Sequence, residues 1–267
     1  MTRCCKPVFG CLLLWCGLAS TACSEWKLTS TSAPVSLGHG ATKVTKTLEH
    51  SNGDTGQLSL VFFDEAQCEL QISANASKEN ARLMDAIAVD AGAIAACNGG
   101  YFDPPKMLPS GLEIADGKRT GNLDPALPFG GMVVIENANA SIIKTEEFTD
   151  RSGLTGLIQC CPNFVENGSP VQNIGGEAPA PRTFIMTDGK GRWGIGIARS
   201  IGLPDLADIL SNPQIISEFR VHRALNLDGG PSTALWCKDT TGAVTYAREK
   251  WKVRNVILVV PRKTDTN

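Results

Sequence analysis

Three short segments gather residue types that can hold an anion and act on a polar bond. Asn-Leu-Asp-Gly-Gly-Pro-Ser (226–232) closes the apolar run Val221–Leu227. A strand that ends in a carboxylate and two glycines places Asp228 at a sheet edge, where the backbone turns tightly and comes close to a ligand. Ala96-Cys97-Asn98-Gly99-Gly100-Tyr101-Phe102 is a second segment of this kind, and Pro181-Arg182-Thr183 is a third. The Arg182 guanidinium can fork onto two phosphate oxygens. Asn98 can both donate to and accept from a sugar hydroxyl or a phosphate. Asp228 offers a carboxylate, a group that can serve as acid, base or nucleophile. Asn226 alternates with Leu227, so Asn226 and Asp228 share a face. Gly99, Gly100, Gly229 and Gly230 leave room for backbone and ligand to meet. Ser232 bonds a substrate or caps the turn, and Thr183 opens the strand beside Arg182. Tyr101 and Phe102 read as core and wall.

Glycosidases usually pair two carboxylates, and no second one is marked here. Asp103 is the nearest candidate, with Asp188 and Glu113 behind it. A Cys–His hydrolase could be drawn from Cys97 and His222, but Cys97 sits in an apolar strand where a buried thiol is inert. No Gly-x-Ser-x-Gly elbow surrounds any serine. No Cys-x-x-Cys or His-x-x-x-His spacing points to zinc. No cofactor is required; calcium could be held by Asp228 and loop carbonyls. No basic patch interleaved with aromatics points to nucleic acid.

Taken in order, these segments resemble the phosphodiester glycosidase family and its secreted bacterial members. The resemblance runs over residues 70–262 through Asn98–Phe102, Pro181–Thr183, the stretch Gly194–Leu210, Asn226–Ser232 and the terminal strand Arg254–Val260. Two positions depart from the family pattern. Pro231 stands where the family has a third glycine, fixing φ and removing one N–H, and Thr233 replaces a second serine. The resemblance implies a hydrolase of glycosyl-1-phosphodiesters or related exopolysaccharide and cell-envelope linkages. Asp228, Arg182 and Asn98 would be its catalytic residues. Gly99, Gly100, Thr183, Asn226, Gly229, Gly230 and Ser232 would line the substrate, with Arg254 and Asn255 supporting the site from behind. The alternative is a non-catalytic glycan-binding envelope lipoprotein.

The N-terminus reads as an export signal over 1–22. Arg3 and Lys6 precede the apolar run Val8–Ala19, which is shorter than the ~20 residues a spanning helix needs. Ala22-Cys23 resembles a lipoprotein cleavage site, which would anchor the chain to a membrane through a lipid on Cys23. The chain has ten cysteines. Five lie beyond Cys23 (Cys68, Cys97, Cys160, Cys161 and Cys237), so at most two disulfides can form among them. The formal net charge is −2; without residues 1–22, 23 basic and 27 acidic side chains leave −4.

Residues 23–56, rich in Ser, Thr, Gly and Lys, read as a tether, and 57–263 as one α+β domain with a mixed β-sheet core and few helices. Leu58–Phe63 and Gln67–Ser73 read as paired strands across an Asp64-Glu65-Ala66 turn. The periodicity predicts a helix over Ser77–Ala91, capped by Ser77, and a short one over Pro204–Leu210. Strands are expected at Ala93–Cys97, Met132–Glu136, Ser141–Lys144, Thr183–Thr187, Gly194–Ala198, Val221–Leu227, Thr233–Lys238 and Val253–Val260. The stretches Asp103–Phe129 and Pro162–Pro181 read as long, site-forming loops.

Overall fold

The central strands carry apolar side chains on both faces, so both faces need cover. In Leu60-Val61-Phe62-Phe63, Leu60 and Phe62 enter one cluster while Val61 and Phe63 enter another. The computed structural model describes residues 25–263; the expected export signal and Cys23 lie outside them. The arrangement resolves into three large sheets around one core, a two-stranded ribbon of Phe102–Asp103 with Leu108–Pro109, and two helices on the outer faces.

A nine-stranded sheet runs Trp26–Thr31, Ala41–His50, Thr55–Asp64, Arg192–Ile201, Ala180–Thr187, Arg223–Asn226, Asn163–Glu166 and Ser169–Pro170, with Val35–Gly38 added beside Ala41–His50. A five-stranded sheet runs Val244–Ala247, Leu235–Lys238, Ala95–Asn98, Asn255–Pro261 and Cys68–Ala74. A second five-stranded sheet runs Lys118–Thr120, Glu113–Ala115, Leu154–Cys160, Gly131–Glu136 and Asn139–Lys144. All three contribute to the main core, through Val61, Ile185 and Ile195, through Cys97, Ile257 and Val259, and through Val133 and Ile158. Helix α1 (Met84–Asp90) seals the outer face of the first five-stranded sheet with Met84, Ile87 and Ala88. Helix α2 (Leu203–Ser211) packs Leu206, Ile209 and Leu210 on the nine-stranded sheet. Gly202 precedes it and Pro204 sits in its first turn, where a missing N–H costs nothing.

Several expectations are corrected. The molecule is richer in strand than an α+β reading implies, and every ladder among the described residues is antiparallel rather than mixed. The tether is mostly strand: Trp26–Thr31, Val35–Gly38 and Ala41–His50 build the edge of the large sheet. Its inward series is Val44, Lys46 and Leu48. Lys46 is 1% exposed, with Nζ 2.7 Å from the Ile215 carbonyl and 2.9 Å from Glu218. A lysine in an inward position hides the alternation that would mark a strand.

Thr55–Asp64 and Cys68–Ala74 are joined by the expected turn but do not pair; they enter different sheets. Only Met84–Asp90 of the longer predicted helix is helical. The side chain of Asn75 explains the loss: its Oδ1 accepts the Arg82 N–H at 2.9 Å and its Nδ2 donates to the Arg82 carbonyl. That closes 75–82 as a loop, and Glu249 instead receives the Met84 N–H at 3.0 Å. The cysteines Cys68, Cys97, Cys160, Cys161 and Cys237 are all free thiols. Burial pushes the Cys68 thiol up to about 11.

Candidate active site

The segment 226–235 crosses from the large sheet to the five-stranded sheet beside it, and the chemistry gathers at the crossing. The Leu227 N–H donates to the Thr183 carbonyl at 2.8 Å, still within the large sheet. The Asp228 N–H donates to the Gly99 carbonyl at 2.9 Å, already on the other sheet. A 3₁₀ turn over Gly230–Ser232 then leads into the strand Leu235–Lys238. Gly230 has φ +57° with open space around it, so glycine is needed there for conformation. Pro231 sits in the first positions of the turn, where no N–H partner is lost.

Asn98 ties the crossing together. It is fully buried; its Oδ1 accepts from Thr183 Oγ1 at 2.7 Å and from the Ala234 N–H at 3.0 Å, and its Nδ2 donates to the Asp228 carbonyl at 2.7 Å. These bonds, with a longer one to the Gly99 carbonyl, use its capacity. Asn98 and the buried Thr183 therefore position the loop and are not exposed to a ligand. The glycines Gly99 and Gly100 are also structural. A Cβ on Gly99 would lie 2.1 Å from Asn255 Oδ1, and one on Gly100 would lie 2.7 Å from Ile158.

Behind them lies a buried ion pair. Arg254 and Glu113 are 5% and 1% exposed and meet at 2.6 Å. Arg254 also donates to the carbonyls of Asn75 and Met107. Asn255 Nδ2 donates to Glu113, and its Oδ1 accepts the Gly100 N–H at 2.7 Å. Arg254 and Asn255 thus hold the Asn-Gly-Gly segment from behind, as expected.

The front of the crossing is chemically open. Arg182 is half-buried; its Nη2 donates to the carbonyls of Ala178 (3.2 Å) and Gly176 (3.4 Å), and its Nε is buried without a partner. Burial lowers its pKa from the usual value. A Cβ placed on Gly229 would lie 2.9 Å from the Pro181 carbonyl and 3.8 Å from Arg182 Cα and Cδ, so the Gly229 backbone packs against the Pro181–Arg182 strand. Asp228 accepts from the Ser232 hydroxyl and the Gly229 N–H, yet burial outweighs both and raises its pKa. Among the described residues neither Arg182 nor Asp228 is in an ion pair.

Tyr101 stands within the field of both charges, and burial pushes its phenol well up. Its hydroxyl donates to the Cys161 carbonyl at 3.0 Å and accepts from Asn226 Nδ2 at 2.7 Å. Asn226 Oδ1 and Thr233 Oγ1 are buried without partners, like Arg182 Nε. A cleft of about 540 Å³ lined by Leu127, Phe129, Lys144, Asn163 and Glu166 contains none of these residues.

Residues 91–260, more than half of the chain, match the family described as Phosphodiester glycosidase. The chain belongs to the phosphodiester glycosidase family. Among solved structures it is similar to the zebrafish N-acetylglucosamine-1-phosphodiester alpha-N-acetylglucosaminidase catalytic domain auto-inhibited by its pro-peptide. That likeness has 17% identity and a TM-score of 0.64, covering 87% of this chain and 88% of that one. It is also similar to a hypothetical protein from Synechocystis, at 16% identity and a TM-score of 0.58, covering 89% of this chain and 68% of that one. At these identities the likeness is one of fold. The comparison with curated proteins gave no match.

In this family member the candidate second carboxylates are engaged elsewhere. Glu113 is spent on Arg254, Asp103 pairs with Lys106 at 3.2 Å, and Asp188 caps the 188–192 turn through the N–H groups of Lys190 and Arg192. The Cys–His alternative fails on position. Cys97 is fully buried with its thiol pushed up by burial, and His222 lies beside Gly189 at the far end of the strand Arg223–Asn226 from Asn226. Among the described residues no group of three or more His, Cys, Asp or Glu is arranged to hold a metal ion. Sequence reasoning missed the Cys161 carbonyl, the buried unpartnered hydroxyl of Thr233 and Trp251, whose Nε1 donates to Ser232 Oγ at 3.0 Å. Only Thr233 had a signal, its place directly after Ser232, where the family pattern has a second serine.

Proposed function

We propose that this chain hydrolyses the bond between an anomeric carbon and phosphate in glycosyl-1-phosphodiesters of an exopolysaccharide or cell envelope. The observation that carries this reading is that Arg182 and Asp228 stand on neighbouring backbone segments, both act on Tyr101, and neither is in an ion pair among the described residues. The diester phosphate sits on the Arg182 guanidinium, whose planar fork suits two phosphate oxygens. That places the anomeric carbon at Asp228, which acts as nucleophile or as base for water. The carbon–oxygen bond breaks with its electron pair on the phosphate oxygen. Water supplies the hydroxyl of the freed sugar, and a phosphomonoester departs. Such a leaving group needs no proton, so one carboxylate serves. A carboxylate whose pKa is raised by burial is also a stronger base.

The experiment compares Arg182→Lys with wild type on sugar-1-phosphodiesters and on matched neutral glycosides. The phosphodiesters should lose tenfold or more relative to the neutral substrates, roughly the value of a lost bidentate contact; equal losses on both would remove the phosphate from Arg182. The same reading places the chain outside the cytoplasm, held by a lipid on Cys23, which detergent partitioning of Cys23→Ser tests. No helix among the described residues is long and apolar enough to cross a membrane.

A further inference from the structure

We propose that Trp251 is the aromatic wall of the sugar-binding subsite and the residue that orients Ser232 onto Asp228. This rests on the hydrolase reading for the identity of the sugar and on the structure for the wall itself. Trp251 is 44% exposed, whereas Trp26, Trp193 and Trp236 are 5%, 2% and 1% exposed. An exposed tryptophan by itself is ordinary. This one is fixed by its polar edge to the site: Nε1 donates to Ser232 Oγ at 3.0 Å.

An indole N–H can only donate, so the Ser232 oxygen accepts and its own hydrogen is directed elsewhere. Asp228 receives it, and that bond pulls against the rise in its pKa caused by burial. The order is therefore Trp251 N–H to Ser232 oxygen, then Ser232 O–H to the Asp228 carboxylate. The indole ring stands one hydroxyl away from the proposed catalytic group.

The loop beneath the ring is rigidly anchored. The Lys250 N–H donates to the Pro231 carbonyl at 2.8 Å, locking the loop to the 3₁₀ turn. Glu249 is 4% exposed and accepts both the Met84 N–H and the Tyr246 hydroxyl. A large ring kept half in water, with its edge held and its backbone fixed, costs little further entropy to bind against. Sugar rings carry apolar C–H faces that suit such a surface. Lys250 and Lys252, both exposed, adjoin Trp251 in sequence and add positive charge that draws an anionic substrate toward this loop.

The test is tryptophan fluorescence titrated with glucose 1-phosphate, N-acetylglucosamine 1-phosphate and inorganic phosphate, on wild type, Trp251→Phe and Trp251→Ala. Subtracting the Trp251→Phe signal removes every other tryptophan. A saturable change with at least one sugar phosphate, confined to chains that keep Trp251 and not produced by inorganic phosphate, supports the wall. On any sugar-1-phosphodiester that wild type turns over, Trp251→Ala should raise KM about tenfold or more, the scale of one lost stacking contact. Trp251→Phe should recover most of that loss, because it keeps the ring. The phenylalanine chain should also show its acidic kinetic pKa shifted upward, since Ser232 is no longer oriented.

A fluorescence response without turnover would remove the hydrolase reading and leave the wall in place. Turnover with unchanged emission, and with KM unaffected in Trp251→Ala, would overturn the wall and leave the hydrolase. No response to any sugar phosphate up to millimolar concentration would also overturn it.

Discussion

Asp228 is the residue at which function and stability oppose each other. Burial raises its pKa above the unfolded value, and the bonds from Ser232 and Gly229 only partly offset this. The sign follows from linkage. Between the unfolded and the raised folded pKa, the folded chain keeps a proton that the unfolded chain has lost. Stability therefore falls as pH rises through that window and stays lower above it. Asp228→Asn removes the penalty, so its melting temperature should exceed wild type at neutral pH, and the gap should close under acid. A variant that melts lower than wild type at both pH values would mean the carboxylate is stabilising and its burial is not the dominant effect. Stability held back at the proposed catalytic carboxylate would be a common trade. The positions of Asp228 and Arg182 at a turn and a strand start were legible in sequence because each stands next to residues that permit only a few backbone shapes. The role of Asn98 was misjudged for the same reason: an amide before two glycines reads as a ligand, and the partners that saturate it come from residues 85 and more positions away.

At the scale of elements, the site depends on a strand end and a crossing being held in register by groups outside them. The Arg254–Glu113–Asn255 network joins the last strand to Glu113–Ala115 and fixes Gly100. Removing one partner of a buried pair leaves an uncompensated charge. Glu113→Ala should therefore destabilise the fold by about 3–5 kcal/mol in denaturant unfolding. The paired replacement Glu113→Leu with Arg254→Met should recover much of that loss. A loss below about 1 kcal/mol in the single variant would show that the pair is not desolvated as the structure has it. Strands such as Thr183–Thr187 and Gly194–Ala198 were legible from their apolar runs. Helix α1 was overextended because the capture of its first turn by Asn75 is a tertiary event that periodicity does not register. The strands Leu154–Cys160 and Val244–Ala247 went unread. Gly156 in the first and polar flanks around the second blur their alternation.

At the scale of the whole molecule, three sheets share one core and the site lies where two of them exchange a strand connection. The long-range ladders behind this, such as Thr183 with Ile197 or Ile257 with Cys97, could not be read from local pattern. Only the resemblance ordered the motifs toward one place. The unexpected edge strands have a consequence for the proposed anchor. With Trp26 opening the first strand, Ser24 and Glu25 alone separate Cys23 from the sheet, so a lipid there would hold the fold directly at the membrane face. Cys23→Ser should move the protein from the detergent phase to the aqueous phase, and unchanged partitioning would reject the anchor.

The most direct test of the central claim is release of free sugar from a small panel of sugar-1-phosphodiesters and matched neutral glycosides, with wild type and Asp228→Asn side by side. Turnover confined to the phosphodiesters, and reduced roughly a hundredfold or more in a variant that remains folded, is the expected result. Turnover surviving within about tenfold in Asp228→Asn would remove Asp228 from the chemistry. Saturable binding of the same compounds by wild type with no turnover would contradict the enzyme itself.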